Sequence, residues 1–278
     1  MAPDESANSS VSEHSEIHEN KPEDPKVPSS TKSSPDVSYI QISCMRKPDN
    51  DDNDFTWQSQ KTLGRNKASR EERDDQLAKL SGAVKTILEC IGEDPSRQGL
   101  LHTPMRYAES ILYFTRGYEE SLDSFIPTSE AEYKPVSHRE MFTESEIDFS
   151  SICEHHLIPF SGKIHVGYIP KLQDIDRAKV IKIVETLSQR LQLQRRLTNQ
   201  IAFAISDILQ AQGVAVFVES SHICMAIRGK QQPGEMTMTS CLLGSCKAYD
   251  EARIFFDRIG RRELFLHLFY SGPGNKPN

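Results

Sequence analysis

The 278-residue chain has no apolar run of membrane-span length, a single tryptophan, only six cysteines and no excess of positive charge. Each scarcity closes off a class of function. Crossing a bilayer as a helix takes about 20 consecutive apolar residues, and none are present, so no membrane association is expected. Met1-Ala-Pro-Asp4 opens neither a secretory leader nor a myristoylation motif, and the expected location is cytoplasmic. A formal net charge of -7 argues against general nucleic-acid binding while leaving room for a local cationic pocket. Cys44, Cys90, Cys153, Cys224, Cys241 and Cys246 lack the dense spacing of a disulfide framework, so free thiols or metal ligands are expected. Of these, Cys90, Cys241 and Cys246 read as small buried apolar residues.

The mean hydropathy of -0.53 averages two regimes. Residues 1–70 are rich in Ser, Pro and acidic side chains and poor in clustered apolar ones. Such a segment cannot bury enough surface to offset its chain entropy, and it is expected to be a disordered tail. Residues 71–278 carry the apolar periodicity of a single folded domain. Leu77, Leu80, Val84, Ile87, Leu88 and Ile91 recur at helical spacing, with Gly92 placed to end the helix. Thr103 as N-cap and Pro104 at the first helical position start a second helix, which makes an N-terminal helical hairpin. Residues 119–138 read as loop. Met141 to Phe149 alternates as a half-buried strand, and Lys163 to Ile169 is a second strand, with Pro159 and Gly162 in the turn between them. Val180–Leu191 and Leu193–Leu209 read as helices, the latter closed by Gly213; Val214–Glu219 and Thr237–Leu243 read as strands, and Tyr249–Ile259 as a helix. The tail 264–272 fits no element. The sum is an α+β fold with antiparallel strands and long helices, without a βαβ alternation.

Two clusters carry chemistry. Cys153-Glu-His155-His156 sits where the first strand ends, and His222-Ile-Cys224 lies at the end of a later one. Zinc takes thiolate and imidazole ligands tetrahedrally, and catalytic sites leave one position for water. Cys153 and His156 are spaced to chelate from one turn, and Cys224 can close a Cys2His set, which is a catalytic composition. His155 and His222 are then left beside the metal to move protons near neutral pH. The competing reading makes the histidines polar turn residues and the thiols core. A zinc nucleobase deaminase would need H-x-E followed by P-C-x-x-C; His138-Arg-Glu140 matches the first half, but the second is missing.

Ser151-Ile-Cys-Glu-His-His-Leu-Ile-Pro-Phe-Ser-Gly-Lys-Ile-His-Val-Gly-Tyr-Ile-Pro170 resembles the signature of the GTP cyclohydrolase I family. His222-Ile-Cys-Met-Ala-Ile-Arg228-Gly, Thr237-Met-Thr-Ser240, Gly92-Glu-Asp-Pro and Thr103-Pro-Met-Arg106 extend the resemblance, which covers roughly residues 75–258 in order. It implies the tunnelling fold, an antiparallel sheet with long helices on one face. It also implies a toroidal homodecamer with active sites between subunits. The implied reaction is zinc-dependent hydrolytic opening of the guanine imidazole ring of GTP, releasing formate and giving 7,8-dihydroneopterin triphosphate, the entry step of pterin and folate synthesis. Carried over by position, Cys153, His156 and Cys224 bind Zn2+, and His155 and His222 are catalytic. Arg106, Lys179, Lys182 and Arg228 hold the triphosphate, and Gln194 and Arg195 face the base.

Departures from that pattern cluster at the substrate. Where the family has Ser-Lys-x-x-Arg, this chain has Ala178-Lys179-Val-Ile-Lys182, trading a bidentate fork for a point charge. The family's glutamate after Gln194 is Arg195 here, so a group with donors only would face the N–H edge of guanine. Three readings follow: an active cyclohydrolase with an altered base pocket, a catalytically weak paralogue acting as a partner or regulatory subunit, and an enzyme for another purine nucleotide.

Overall fold

Gly213-Val-Ala-Val-Phe-Val-Glu-Ser-Ser-His222 is β-branched at alternate positions, and it forms strand β7, flanked by strands on both sides and nearly buried throughout. In the computed structural model, which describes residues 40–43, 62, 64–125, 134–135, 140–171, 173–174, 176–232 and 234–270, the remaining elements assemble around it. They are β1 (Ile40–Ser43), α1 (Arg70–Cys90), α2 (Thr103–Phe114), β2 (Lys134–Pro135), β3 (Phe142–Cys153), β4 (Pro159–Ile169) and β5 (Gln173–Asp174). Then come α3 (Arg177–Ser188), β6 (Leu191–Gln192), α4 (Gln194–Leu209), β7, the single turn α5 (Ile223–Ala226), β8 (Thr237–Gly244), α6 (Tyr249–Arg258) and α7 (Arg262–Tyr270). All described residues fall in one unit, Asp36–Asn278.

Six strands form one sheet in the order β1-β8-β7-β4-β3-β6. The central four are antiparallel, but β1 pairs with β8, and β6 with β3, in parallel. The sheet is therefore mixed, which corrects the purely antiparallel expectation. Helices on one face only is also corrected. Val214, Val216 and Val218 pack with Ile147, Phe149, Ile164 and Val166 against α3 and α4. Ala215 and Phe217, pointing the other way, pack with Met238 and Leu242 against Phe255 and Phe256 of α6 and Phe265 of α7. The period of two along β7 thus supplies both cores. The segment 264–272 that fitted no element is, through Tyr270, helix α7, whose Leu264 and Phe265 are buried in the second core.

A bulge between Glu144 and Ile147 breaks the register of β3 on β4, and Glu146 takes a φ of 58°. One extra residue inverts the side-chain parity. Met141 therefore belongs to the α6–α7 core while Ile147 and Phe149 belong to the α3–α4 core, although unbroken alternation would put all three on one face. Pro159 and Gly162 are in β4, not in the turn, which is Glu154–Leu157. Gly162 is required where it stands, because a Cβ there would meet Glu219 O at 1.9 Å.

Helix ends shift by small amounts. α1 begins with a capping box between Ser69 and Glu72 and ends before Gly92, at φ 87°. Thr103 is the first residue of α2 rather than its cap, His102 holding that place without a side-chain bond. Gln210, at φ 47°, closes α4; Gly213 instead opens β7. Cys241 and Cys246 are buried as expected, but Cys90 is exposed, because α1 has no fully buried residue and its stripe is only half-covered. Within the stretch expected to be a disordered tail, Ile40–Ser43 pairs with β8 and Arg65 bonds Thr115 O and Leu112 O. Phe55 and Trp57, like residues 271–278, lie outside the described residues.

Candidate metal centre

The β3–β4 turn and the end of β7 meet in space. Phe160 pairs with His222 across β4 and β7, which places the turn after Cys153 beside the residues after His222. The turn is drawn shut by three backbone bonds, from Cys153 N to Ile158 O and from His156 N and Leu157 N to Cys153 O, with Leu157 at φ 54°. β7 then gives way to α5, whose first turn carries the buried Cys224. The donor atoms of Cys153, His156 and Cys224 lie within 4.8 Å of one another.

This set fits a tetrahedral ion. Zn–S near 2.3 Å and Zn–N near 2.0–2.1 Å at the tetrahedral angle put sulfur and nitrogen about 3.6 Å apart. Cys153 Sγ and His156 Nδ1 stand 3.6 Å apart. Both sulfurs are buried, and burial, followed by the neighbouring Cys153, pushes the Cys224 thiol up from its ordinary value. A cation between them is the agent that would favour their thiolate forms.

His222 stands at the rim, stacked on Phe160 with ring centroids 4.6 Å apart. Burial lowers its pKa, so the ring is neutral near neutral pH. Its tautomer is fixed by Gln194, whose Nε2 donates to Val218 O (3.1 Å) and Thr237 O (2.9 Å). Gln194 Oε1 is then an acceptor, taking Ser220 Oγ–H at 2.7 Å and His222 Nε2–H at 2.9 Å, which leaves His222 Nδ1 as the basic nitrogen. Gln194 is buried, and its side-chain nitrogen and oxygen both bond to protein. His155 is exposed on the turn, its ring 6.0 Å from that of His156.

The expected phosphate ligands are not all gathered here. Arg228 Nη1 donates to His156 Nε2 at 2.8 Å and is at the site. Lys182 faces Glu120 Oε1 at 3.4 Å, and Glu120 is also bound by Thr186 Oγ1 at 2.6 Å. Arg106 is exposed on α2, and among the described residues its guanidinium makes no hydrogen bond or ion pair; α2 packs on α1. Lys179 lies in the first turn of α3, half-buried. Arg195 is exposed in the first turn of α4, directly after Gln194, and among the described residues its guanidinium is likewise unbonded. Two residues that the sequence did not single out are Glu154 and Arg196, which form an ion pair beside the metal turn. Their spacing along the chain gives no sign of it.

A second group, Glu146, His165 and Glu219, also brings donor atoms within 4.8 Å of one another. Its chemistry is that of a closed ion-pair network. Arg261 forks onto Glu219 at 2.7 and 3.0 Å, and Lys163 meets Glu146 at 2.7 Å. His165 Nδ1 accepts from the Glu146 amide at 3.4 Å, which leaves the ring proton, not a lone pair, on Nε2. Burial alone would raise the Glu219 pKa, but His165 and the Arg261 fork outweigh it and hold the carboxyl at about 2. A folded-state value below the ordinary one stabilises the fold above about pH 4.5 and loses that contribution as pH falls toward 2, on the order of 3 kcal/mol in all. Urea unfolding should therefore show a steeper loss of stability between about pH 6 and about pH 3 in the parent than in Glu219→Gln. Equal losses would show that Glu219 does not carry this dependence.

Comparison with known proteins bears on the whole domain. The family model for GTP cyclohydrolase I matches residues 80–259. GTP cyclohydrolase 1 of Saccharomyces cerevisiae is 46% identical over 211 residues, covering 76% of this chain and 86% of that one. The Homo sapiens protein of the same name is 42% identical over 208 residues, 75% of this chain and 78% of that one. The Dictyostelium discoideum protein of the same name is 47% identical over 168 residues, 60% and 71% respectively. With a family model spanning most of the folded domain and relatives this close over most of their own length, the chain belongs to the GTP cyclohydrolase I family.

Proposed function

We propose that this chain is a zinc-dependent GTP cyclohydrolase that hydrolytically opens the guanine imidazole ring of GTP, giving formate and 7,8-dihydroneopterin triphosphate. The observation that carries the reading is the convergence of Cys153, His156 and Cys224 donor atoms from two separate elements, with His222 locked beside them. When bound there, zinc would make a hydroxide-like water available near neutral pH. His222 presents Nδ1 as an acceptor and so can take a proton from water or substrate. His155, outside the metal set and exposed, is the second proton carrier. His156 turns Nδ1 toward Cys153, so in the metal-holding form its own proton sits on Nε2. Arg228, a donor only, is then released from that nitrogen toward the anionic triphosphate.

Arg106, Lys179 and Lys182 are the further phosphate ligands in this reading. Arg106 stands on the helical hairpin, away from the cluster's hydrogen bonds, and the hairpin leaves Ile87, Ile91, Leu101 and Tyr113 exposed. Both facts support a site completed by a neighbouring copy, in a homo-oligomer that we take to be the decamer. The catalytic domain is residues 71–278, to whose sheet Ile40–Ser43 adds an edge strand, and the enzyme is cytoplasmic. Among the described residues no helix is long and apolar enough to cross a membrane.

A second reading, a weak paralogue that assembles with an active subunit, is favoured by one observation: the cation Arg195 next to Gln194, unpaired among the described residues. Metal analysis and formate release decide between them. The protein as purified should hold about one zinc per chain, and incubation with GTP should release formate that a chelator abolishes. Metal-free protein after gentle purification sinks the catalytic reading. Zinc without formate favours the paralogue.

A further inference from the structure

The β4–β7 ladder brings the two elements that carry the metal donors side by side, and the directions of the donor side chains still have to be set from behind. We infer that the first turn of α4 is a brace for the metal centre: Arg196, through Glu154, positions the turn bearing Cys153 and His156, while Gln194 positions the strand end bearing His222 and Cys224. The inference rests on the metal reading above and adds Glu154 and Arg196 to it as positioning residues.

Glu154 lies between the two ligands of the β3–β4 turn. Its amide donates to Gln192 O at 3.1 Å, and its carboxylate takes Arg196 Nη2. The same Nη2 donates to Leu191 O at 2.8 Å, and Arg196 Nε donates to Gln192 Oε1 at 3.2 Å. Gln192 is held in turn, its Nε2 donating to Leu187 O at 2.9 Å and Gln200 Oε1 at 2.8 Å. The Arg196 side chain is 13% exposed and that of Glu154 29%, so the pair is largely withdrawn from water and salt. Two positions earlier on the same turn, Gln194 holds His222 and Ser220.

The brace is rigid because α4 is. Leu197, Ile201, Ile205 and Ile208 are buried along its length in the α3–α4 core. The metal turn by itself is held by short backbone bonds around a left-handed Leu157, which leaves its side-chain directions to be set from outside. Donor groups must be held to about 0.5 Å for a working site, and side chains behind the ligands supply that restraint.

The test is zinc affinity by chelator competition, with the absorption spectrum of the cobalt(II)-substituted protein as the readout of ligand geometry. Glu154→Gln keeps the shape and removes the charge, and Arg196→Met removes the anchor. Each should weaken zinc binding by about tenfold to a hundredfold and shift the cobalt bands. Arg196→Lys, a point donor in place of a fork, should fall between Arg196→Met and the parent. Ile208→Val, at the far end of α4, should lower the unfolding midpoint and leave zinc affinity and the cobalt spectrum unchanged. If Arg196→Met does not fold, Glu154→Gln decides. A parent that holds zinc, with Glu154→Gln matching it in affinity and spectrum, overturns the brace alone. A parent that holds no zinc overturns the metal reading and the brace with it.

Discussion

Cys224→Ala should lose its zinc and, with it, formate release from GTP. Four-ligand structural zinc sites are worth about 10–16 kcal/mol, or roughly 3–4 kcal/mol per ligand. Removing one of three protein ligands therefore costs metal affinity on the order of a hundredfold to a thousandfold. The effect belongs to the ligand set and not to thiols in general. Cys241, buried in the α3–α4 core, gives the control. Cys241→Ala should retain zinc and turnover while losing about 1 kcal/mol of stability to a small cavity. Metal analysis of both variants, with formate measured alongside, checks the pair. Stoichiometric zinc in Cys224→Ala would remove Cys224 from the centre.

Arg195→Glu should raise GTP turnover. The guanidinium offers donors only, and guanine's N1–H and N2–H edge offers donors as well. Restoring a carboxylate turns a repulsive pairing into a charged hydrogen-bonded one. A group of this kind is worth about 2–5 kcal/mol when removed from a buried pair, which corresponds to roughly thirtyfold to several-thousandfold in kcat/KM. Nothing in the fold resists the exchange, since Arg195 is exposed and unbonded among the described residues. The first turn of α4 also contains no acidic residue and places Arg195 and Arg196 at the positive end of the helix dipole. A glutamate there should stabilise the helix by about 0.3–1 kcal/mol, so a gain in rate would not come at the expense of folding. Unchanged kcat/KM and unchanged GTP binding in Arg195→Glu would mean that position 195 does not face the base. A decrease would favour an enzyme for a different purine nucleotide.

Much of the domain was legible residue by residue because it rests on local periodicity. The stripe Leu77 to Ile91, the alternation of Val214 to Glu219 and the spacing of Leu197 to Leu209 each name an element from a short window, and each element is present, the first helix extending seven residues ahead of its stripe to Arg70. The errors have local causes of another kind. Gly213 has the composition of a helix stop, but Gln210 adopts the left-handed conformation, and the glycine is needed where Ser245 and Cys246 crowd β7. The bulge in β3 has no glycine to announce it; its extra residue is Glu146, held there by Lys163 and His165 across the strand. The second core leaves little trace in the sequence, because the nine-residue α7 has no period long enough to distinguish it from an apolar tail.

The sequence by itself named the candidate ligand set. Thiolate and imidazole at a three-residue spacing, and a second thiol two residues after a histidine, state their chemistry without a fold. It also showed where substrate recognition departs from the family, at Ala178, Lys182 and Arg195, since those are matters of residue type. The tertiary structure alone decided what stands behind the ligands. Gln194 holds His222 across 28 positions, and Glu154 and Arg196 are partners across 42. Side-chain donors and acceptors are shared between elements that the chain brings together only by packing, and no window of sequence contains both halves of such a bond.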